Sequence, residues 1–168
     1  TTTFTVTVNS INDDAPTVAA LADIAVNEDT PAKTVNLTGI TAGPNETQAL
    51  QVTASSSNIS LIANPTVNYA SANSTGNIVF TPLADQSGTT TITVTVTDGG
   101  LDSNLTTTGD NISTSTQFDV TVNALTDDAP TLAAIANVTV DEDDQSTVNL
   151  TGITAGTNES QTLLVTAT

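Results

Sequence analysis

The sequence predicts an all-β chain made of tandem Greek-key β-sandwich repeats of about 114 residues. Three observations predict it: self-similarity at a nearly constant offset, period-2 alternation of apolar and hydroxyl residues, and turn signals at short intervals.

The offset comes first because it sets the boundaries. Phe4-Thr5-Val6-Thr7-Val8-Asn9 returns as Phe118-Asp119-Val120-Thr121-Val122-Asn123, and Asp13-Asp14-Ala15-Pro16-Thr17 returns 114 residues on as Asp127-Asp128-Ala129-Pro130-Thr131. Val35-Asn36-Leu37-Thr38-Gly39-Ile40-Thr41-Ala42-Gly43 recurs as 148–156, an offset of 113, so one residue is missing from the second copy near Lys33. Residues 1–12 then read as the last strand of a preceding repeat, 13–126 as a complete repeat and 127–168 as the first strands of the next. Half a sandwich leaves strand edges unpaired, so the polypeptide is expected to extend in both directions.

Taken in order, strands are expected near 18–26, 34–40, 48–54, 58–62, 66–70, 76–81, 91–97 and 118–123. Turn signals such as Gly43-Pro44-Asn45, Ala63-Asn64-Pro65 and Gln86-Ser87-Gly88 separate them. In Thr91-Ile92-Thr93-Val94-Thr95-Val96-Thr97 the aliphatic residues face one way and the threonines the other, and 118–123 does the same. β-branched threonines suit a strand while keeping its outer face wet. Seven or eight short strands in one repeat is the pattern of a Greek-key sandwich. Its core is expected from Leu21, Ile24, Val26, Val35, Leu37, Leu50, Val52, Leu61, Tyr69, Ile78, Phe80, Ile92, Val94, Val96, Phe118, Val120 and Val122.

Composition excludes much chemistry. There is no His or Cys, so there is no imidazole base, no thiol nucleophile and no ligand set that favours zinc, copper or an iron–sulfur cluster. What remains are carboxylates, amides and hydroxyls, hard oxygen donors that suit calcium. A net charge of −17 repels phosphate backbones and anionic headgroups, which argues against nucleic acid and membrane-surface partners. No run is long enough to insert into a membrane as a helix. Without disulfides each repeat must be stable through its own core. A glycosidase needs two acids across a cleft usually lined with aromatics, and with three Phe and one Tyr, mostly at core-like positions, the chain is read as non-enzymatic.

Two motifs carry a resemblance. Ser10-Ile11-Asn12-Asp13-Asp14-Ala15-Pro16 resembles the calcium-binding linker between cadherin domains, in which an Asn-Asp-Asn-Ala-Pro run supplies ligands. Asn12 and Asp13 match, Asp14 replaces the second Asn, and Ser10 stands where an Asp is expected; in the second copy Ala124 and Thr126 replace two ligand positions. Val26-Asn27-Glu28-Asp29-Thr30-Pro31, echoed by Val140-Asp141-Glu142-Asp143-Asp144, precedes Phe80-Thr81-Pro82, Asp85-Gln86-Ser87-Gly88 and Thr95-Val96-Thr97-Asp98-Gly99-Gly100. In that order the motifs resemble bacterial cadherin-like or immunoglobulin-like tandem repeats, of the tandem-95 or VCBS type, found in large extracellular surface proteins. The resemblance implies an extracellular or cell-surface location, calcium as the bound ion and neighbouring repeats of the same chain as the first partners.

A sandwich with an odd number of strands puts its ends at opposite poles. Asp98, Asp102, Asp110 and Glu46 are then expected near Asn12, Asp13 and Asp14, and Glu28, Asp29 and Asp85 near Asp127 and Asp128, with Glu159 from the following repeat. Glu142 and Asp143 are the second copies of Glu28 and Asp29. Two carboxylates about 4 Å apart repel by roughly 1 kcal/mol even in water, which a divalent cation would relieve. Asp23 and Asp119 are read as solubilising strand-surface residues. Asn36, Asn45, Asn58, Asn73, Asn104, Asn111, Asn137, Asn149 and Asn158 stand in Asn-x-Ser/Thr triplets and are candidate glycosylation acceptors. The expected function is a structural repeat of an extracellular stalk, adhesin or self-assembling filament with calcium at its junctions; the alternative is a glycan- or protein-binding module of a cell-surface adhesin.

Overall fold

The computed structural model describes residues 1–7, 14–125, 128–156, 159 and 161–168. They form two compact units, Thr1–Asn123 and Ala124–Thr168. The first contains seven strands: β1 (Ile24–Asn27), β2 (Lys33–Leu37), β3 (Leu50–Ser56), β4 (Thr66–Asn68), β5 (Gly76–Phe80), β6 (Gly88–Asp98) and β7 (Ser113–Asn123). One sheet has the order β1-β7-β6-β3 and the other β2-β5-β4. This is an all-β sandwich of the immunoglobulin and cadherin-like kind.

Strand β6 is the central element of the larger sheet. It pairs antiparallel with β7 from Gly88↔Val122 to Thr97↔Ser113 and with β3 from Leu50↔Asp98 to Ser56↔Ile92. From Thr91 to Thr97 its sequence alternates strictly, so Ile92, Val94 and Val96 are fully buried while Thr91, Thr93, Thr95 and Thr97 face outward. The outward hydroxyls find cross-strand partners at Thr95–Ser115 and Thr97–Ser113 (both 2.8 Å) and Thr91–Asp119 (2.7 Å). Phe118, Val120 and Val122 of β7 complete that side of the core, and Leu37, Ile78 and Phe80 supply the facing side.

The inward face of β6 is polar at both ends. Thr90 is buried, and its hydroxyl accepts from Asn58 N at 3.0 Å and lies 3.0 and 3.1 Å from the Ser56 and Ser57 hydroxyls. Asp98 closes the other end. A buried polar group is tolerated where it is hydrogen-bonded, so each end of the central strand ties a crossing segment to the sheet.

Strand β1 is short and runs parallel to β7, Ile24↔Val120 to Asn27↔Asn123. All four of its residues are ladder-paired. The expected strand over 18–26 begins instead as a looser run, with Thr17 bridged to Thr41 and Ala19 N donating to Thr38 O. The segment 58–62 is not a strand. Leu61 N and Ile62 N both donate to Asn58 O at 3.1 Å, forming a turn that buries two adjacent side chains, which an alternating strand facing one core cannot do. Within the expected core Leu21, Ile24, Val35 and Tyr69 are only partly buried, while Ile40, Ala42 and Ile62 join it.

In the second unit, the described residues form no strand, and the Thr131↔Thr154 bridge reproduces the Thr17↔Thr41 bridge. Ala133 N donates to Thr151 O as Ala19 N does to Thr38 O, both at 2.9 Å. Gly152 at φ 65° packs against Ala133 as Gly39 at φ 66° packs against Ala19, a left-handed conformation that suits glycine.

Because Ile92 is fully buried at the sheet centre, Ile92→Ala is expected to destabilise the fold by about 2–5 kcal/mol in urea unfolding, against about 1 kcal/mol or less for outward Thr93→Ala. Tyr69 is the only tyrosine; burial raises its phenol above the ordinary 10.0 while its hydroxyl donates to Asn73 O at 2.9 Å. Ultraviolet titration should therefore show ionisation above pH 10 in the folded chain and a return toward about 10 in urea. The stability linked to the neutral phenol is present below that pH and is lost as pH rises through the raised value.

Candidate functional site

The register of the strands sorts the acidic residues of the first unit. Leu50 sits opposite Asp98, and Ser113 opposite Thr97, so the start of β3, the end of β6 and the start of β7 share one pole, here the leading pole. Asn27 opposite Asn123, with Gly88 opposite Val122, defines the trailing pole. Asp14, Glu46, Asp98, Asp102 and Asp110 lie at the leading pole, and Glu28, Asp29 and Asp85 at the trailing pole. Asp23 and Asp119 are the two remaining described carboxylates of this unit. The expected residues Asn12, Asp13, Asp127 and Asn158 lie outside the described residues.

At the leading pole Asp98 is fully buried at the end of β6. Its Oδ1 accepts from Gly100 N and Ile112 N, both at 3.0 Å, and its own N–H donates to Ile112 O at 3.0 Å. The carboxylate thus closes the loop from residue 99 to 112 at both of its ends. Asp110 Oδ2 accepts from Leu101 N at 2.8 Å, and its carboxyl carbon lies 2.5 Å from where a Cβ on Gly100 would stand, so only glycine fits there. Asp102 accepts from Asn104 N (2.9 Å) through one oxygen and from the Thr107 hydroxyl (2.7 Å) through the other. The three acids of this loop therefore organise backbone first, the local bonding that makes Asp a turn residue.

Glu46 reaches the linker. Its Oε1 accepts from Asp14 N at 3.4 Å and its Oε2 from Gln48 Nε2 at 3.1 Å. Gln48 Oε1 and Asn111 Oδ1 are buried without a hydrogen-bond partner among the described residues. Gln48 also borders a hollow of about 270 Å³ with Ile40, Ala42, Leu50 and Ser74.

At the trailing pole Glu28 is buried, its N–H donating to Asn123 O at 2.9 Å. Asp29 holds a left-handed φ of 58° in the turn closed by Thr30 N to Asn27 O (3.3 Å), and Asp85 has φ 56°. Asp143 repeats the first of these turns at φ 68°, with Asp144 N donating to Asp141 O at 3.3 Å. Asp tolerates this conformation better than most side chains.

Among the described residues no group of three or more Asp or Glu side chains is placed to hold a metal ion. The donor set is nonetheless of the right chemistry for calcium: carboxylates and amide oxygens collected at the poles of a sandwich with a single lysine in the whole chain.

Asp23 and Asp119 do more than solubilise. Asp23 Oδ1 accepts from Asp119 N at 2.8 Å, capping the β7 backbone where β1 has not yet begun. Glu46, expected near Asp14, meets its backbone N–H; sequence reasoning passed over that acceptor role and over Gln48, although Gly-x-Asn-Glu-x-Gln recurs at 43–48 and 156–161 and carries the signal. Of the glycosylation triplets, Asn36, Asn45, Asn58, Asn73, Asn104, Asn137 and Asn149 are exposed and Asn111 is half-buried. Phe80 and Phe118 are in the core, and Tyr69 is half-buried.

A seven-stranded sandwich with its acidic residues at the poles and its sheet faces largely neutral defines a modular immunoglobulin-like repeat of the cadherin-like type. Residues 12–110, more than half of the chain, match the family model described as Bacterial Ig domain, and the chain belongs to that family. Among solved structures it is similar to protocadherin gammaB7 domains EC3-6 in a cis-dimer structure, at 20% identity and a TM-score of 0.53, covering 87% of this chain and 35% of that one. The protocadherin gammaB4 extracellular domain matches at 19% identity and a TM-score of 0.49, covering 74% of this chain and 19% of that one. The chain thus spans about a third or less of those molecules, and the likeness to the first is one of fold. No curated protein matches the chain.

Asp98 can be tested as a structural brace with metal excluded. In chelator, Asp98→Ala should destabilise by about 2–4 kcal/mol by leaving two loop N–H groups without their acceptor, whereas Asp98→Asn, which keeps an acceptor oxygen, should cost about 1 kcal/mol in urea unfolding.

Proposed function

We propose that this chain is part of the structural shaft of an extracellular stalk, adhesin or fibre, non-enzymatic, with the junctions between successive repeats rigidified by calcium. One observation carries the reading. Eight of the ten described carboxylates of the first unit, all except Asp23 and Asp119, lie at its two poles, where successive repeats of a tandem array meet. Solubility alone would favour acids spread over the sheet faces, yet the outer face of β3, β6 and β7 is made of Thr, Ser, Gln and Asn apart from Asp119. Membership of the Bacterial Ig domain family and the cadherin-like fold support the extracellular placement. Among the described residues no helix is long and apolar enough to cross a membrane.

On this reading Asn12, Asp13 and Asp14, with Asp102 and Asp110, would hold calcium at the leading junction, and Glu28, Asp29 and Asp85 would supply ligands at the trailing one. Residues 1–12, 13–126 and 127–168 are then the end of one repeat, a whole repeat and the start of the next. The bound ion would neutralise carboxylates that otherwise repel each other, and so restrict bending between repeats. The surrounding repeats of the same polypeptide are the principal partners, and regular axial spacing would suit growth into a filament. The exposed Asn triplets are acceptors for glycans on such a surface.

Calcium at about 100 times its dissociation constant would add about 2.7 kcal/mol to stability, on the order of 10 °C in melting midpoint for a unit of this size. Chelation is therefore expected to lower the melting temperature by that order and to broaden the small-angle scattering profile of a multi-repeat chain. Melting and scattering curves that coincide with and without chelator would overturn the calcium reading.

A further inference from the structure

The two copies of the Asp-Ala-Pro-Thr linker are each fastened to the repeat they lead by one glutamate. In the first unit Glu46 Oε1 accepts from Asp14 N at 3.4 Å while Oε2 accepts from Gln48 Nε2 at 3.1 Å. In the second, Glu159 Oε1 accepts from Asp128 N at 2.5 Å while Oε2 accepts from Gln161 Nε2. The bonds span 32 and 31 residues, so neither is a local turn contact.

A glycine makes the approach possible in each copy. Gly43 (φ 128°) and Gly156 (φ 131°) have a backbone that side chains rarely adopt, and a Cβ on either would stand 2.9 Å from the Asp14 Cβ or 2.5 Å from the Asp128 Cβ. Beyond the linker, Thr17 and Thr131 continue the same attachment. Their N–H groups bridge to Thr41 O (2.9 Å) and Thr154 O (3.0 Å), and their hydroxyls donate to Gly39 O (2.7 Å) and Gly152 O (2.9 Å). Gln48 and Gln161 each keep an amide oxygen buried without a hydrogen-bond partner among the described residues. A buried unsatisfied oxygen costs about 1–3 kcal/mol, and here it recurs at matching positions of both copies.

We propose that Glu46 and Glu159 are positioning residues that bracket the linker to the following repeat without metal, so that Asp14 and Asp128 reach the junction already oriented. Both oxygens of each glutamate face N–H donors, one from the linker backbone and one from a glutamine side chain. The second unit forms the same attachment while its described residues contain no strand, so the bracket depends on two short segments and not on a finished sandwich. The step from bracket to preset calcium ligands rests on the calcium reading above; the bracket itself does not.

The test uses the 168-residue chain in chelator, with amide hydrogen exchange followed by NMR at Asp14, Asp128 and, as a fold control, Ile92. The Asp14 amide should be protected in wild type, and Glu46→Ala should speed its exchange roughly tenfold or more while Ile92 stays protected. Glu159→Ala should do the same to Asp128 alone. Gly43→Ala, whose Cβ would crowd both the linker at Asp14 and the Glu46 carboxylate, should reproduce the effect at Asp14. The proposal is overturned if the wild-type Asp14 amide exchanges at an open-peptide rate in chelator, if Glu46→Ala leaves it unchanged, or if protection appears only with added calcium. A chain whose Asp14 responds to Glu46→Ala, yet whose melting ignores calcium, would keep the bracket and remove the calcium reading.

Discussion

Strand β6 can bury only one of its faces, and the rest of the first unit is arranged around that constraint. Its alternation sends Ile92, Val94 and Val96 into the core and a row of threonines outward. Both neighbours take their register from it: a slip of one residue against β3 or β7 would turn the aliphatic side chains to solvent. The two inward positions that are not aliphatic, Thr90 and Asp98, lie at its ends. There they meet backbone donors from crossing segments, so the boundaries of the core and the anchoring of the loops have one cause.

That arrangement explains why the acidic residues gather where they do. Outward strand positions are filled by β-branched and hydroxyl residues that pair across strands, which leaves carboxylates to the turns, where they bond their own backbone. Turns of a sandwich lie at its poles. Among its described residues the first unit therefore has largely neutral sheet faces and acidic poles.

The second unit shows how much of this design is local. The bridge at Thr131–Thr154, the left-handed Gly152 and Asp143, and the attachment of Asp128 to Glu159 all repeat the first unit. Each depends on short segments and on residues able to take a left-handed backbone, so each forms without the long-range ladders that β6 requires.

Much of the fold was legible in the sequence because period-2 alternation is a direct record of a one-sided core. Strands β6 and β7 and most core positions, from Leu37 to Val122, follow from it. The segment 58–62 was misleading: Ile59 and Leu61 imitate alternation, yet Ile59 is 64% exposed while Leu61 and Ile62 are buried side by side on a turn. The acidic residue types, the repeat and the choice of oxygen chemistry were likewise fixed by sequence alone. The odd strand count sorts the acids between two poles, and the register adds which strand ends meet there, Asp98 opposite Leu50 and Ser113 opposite Thr97. The roles of Asp98 as a loop brace, of Asp23 as a cap on β7 and of Glu46 as a bracket on Asp14 were decided by tertiary structure. Each is a carboxylate meeting backbone N–H groups, in the last two cases across 96 and 32 residues of chain, and periodicity carries no information about which distant donor an exposed acid will meet.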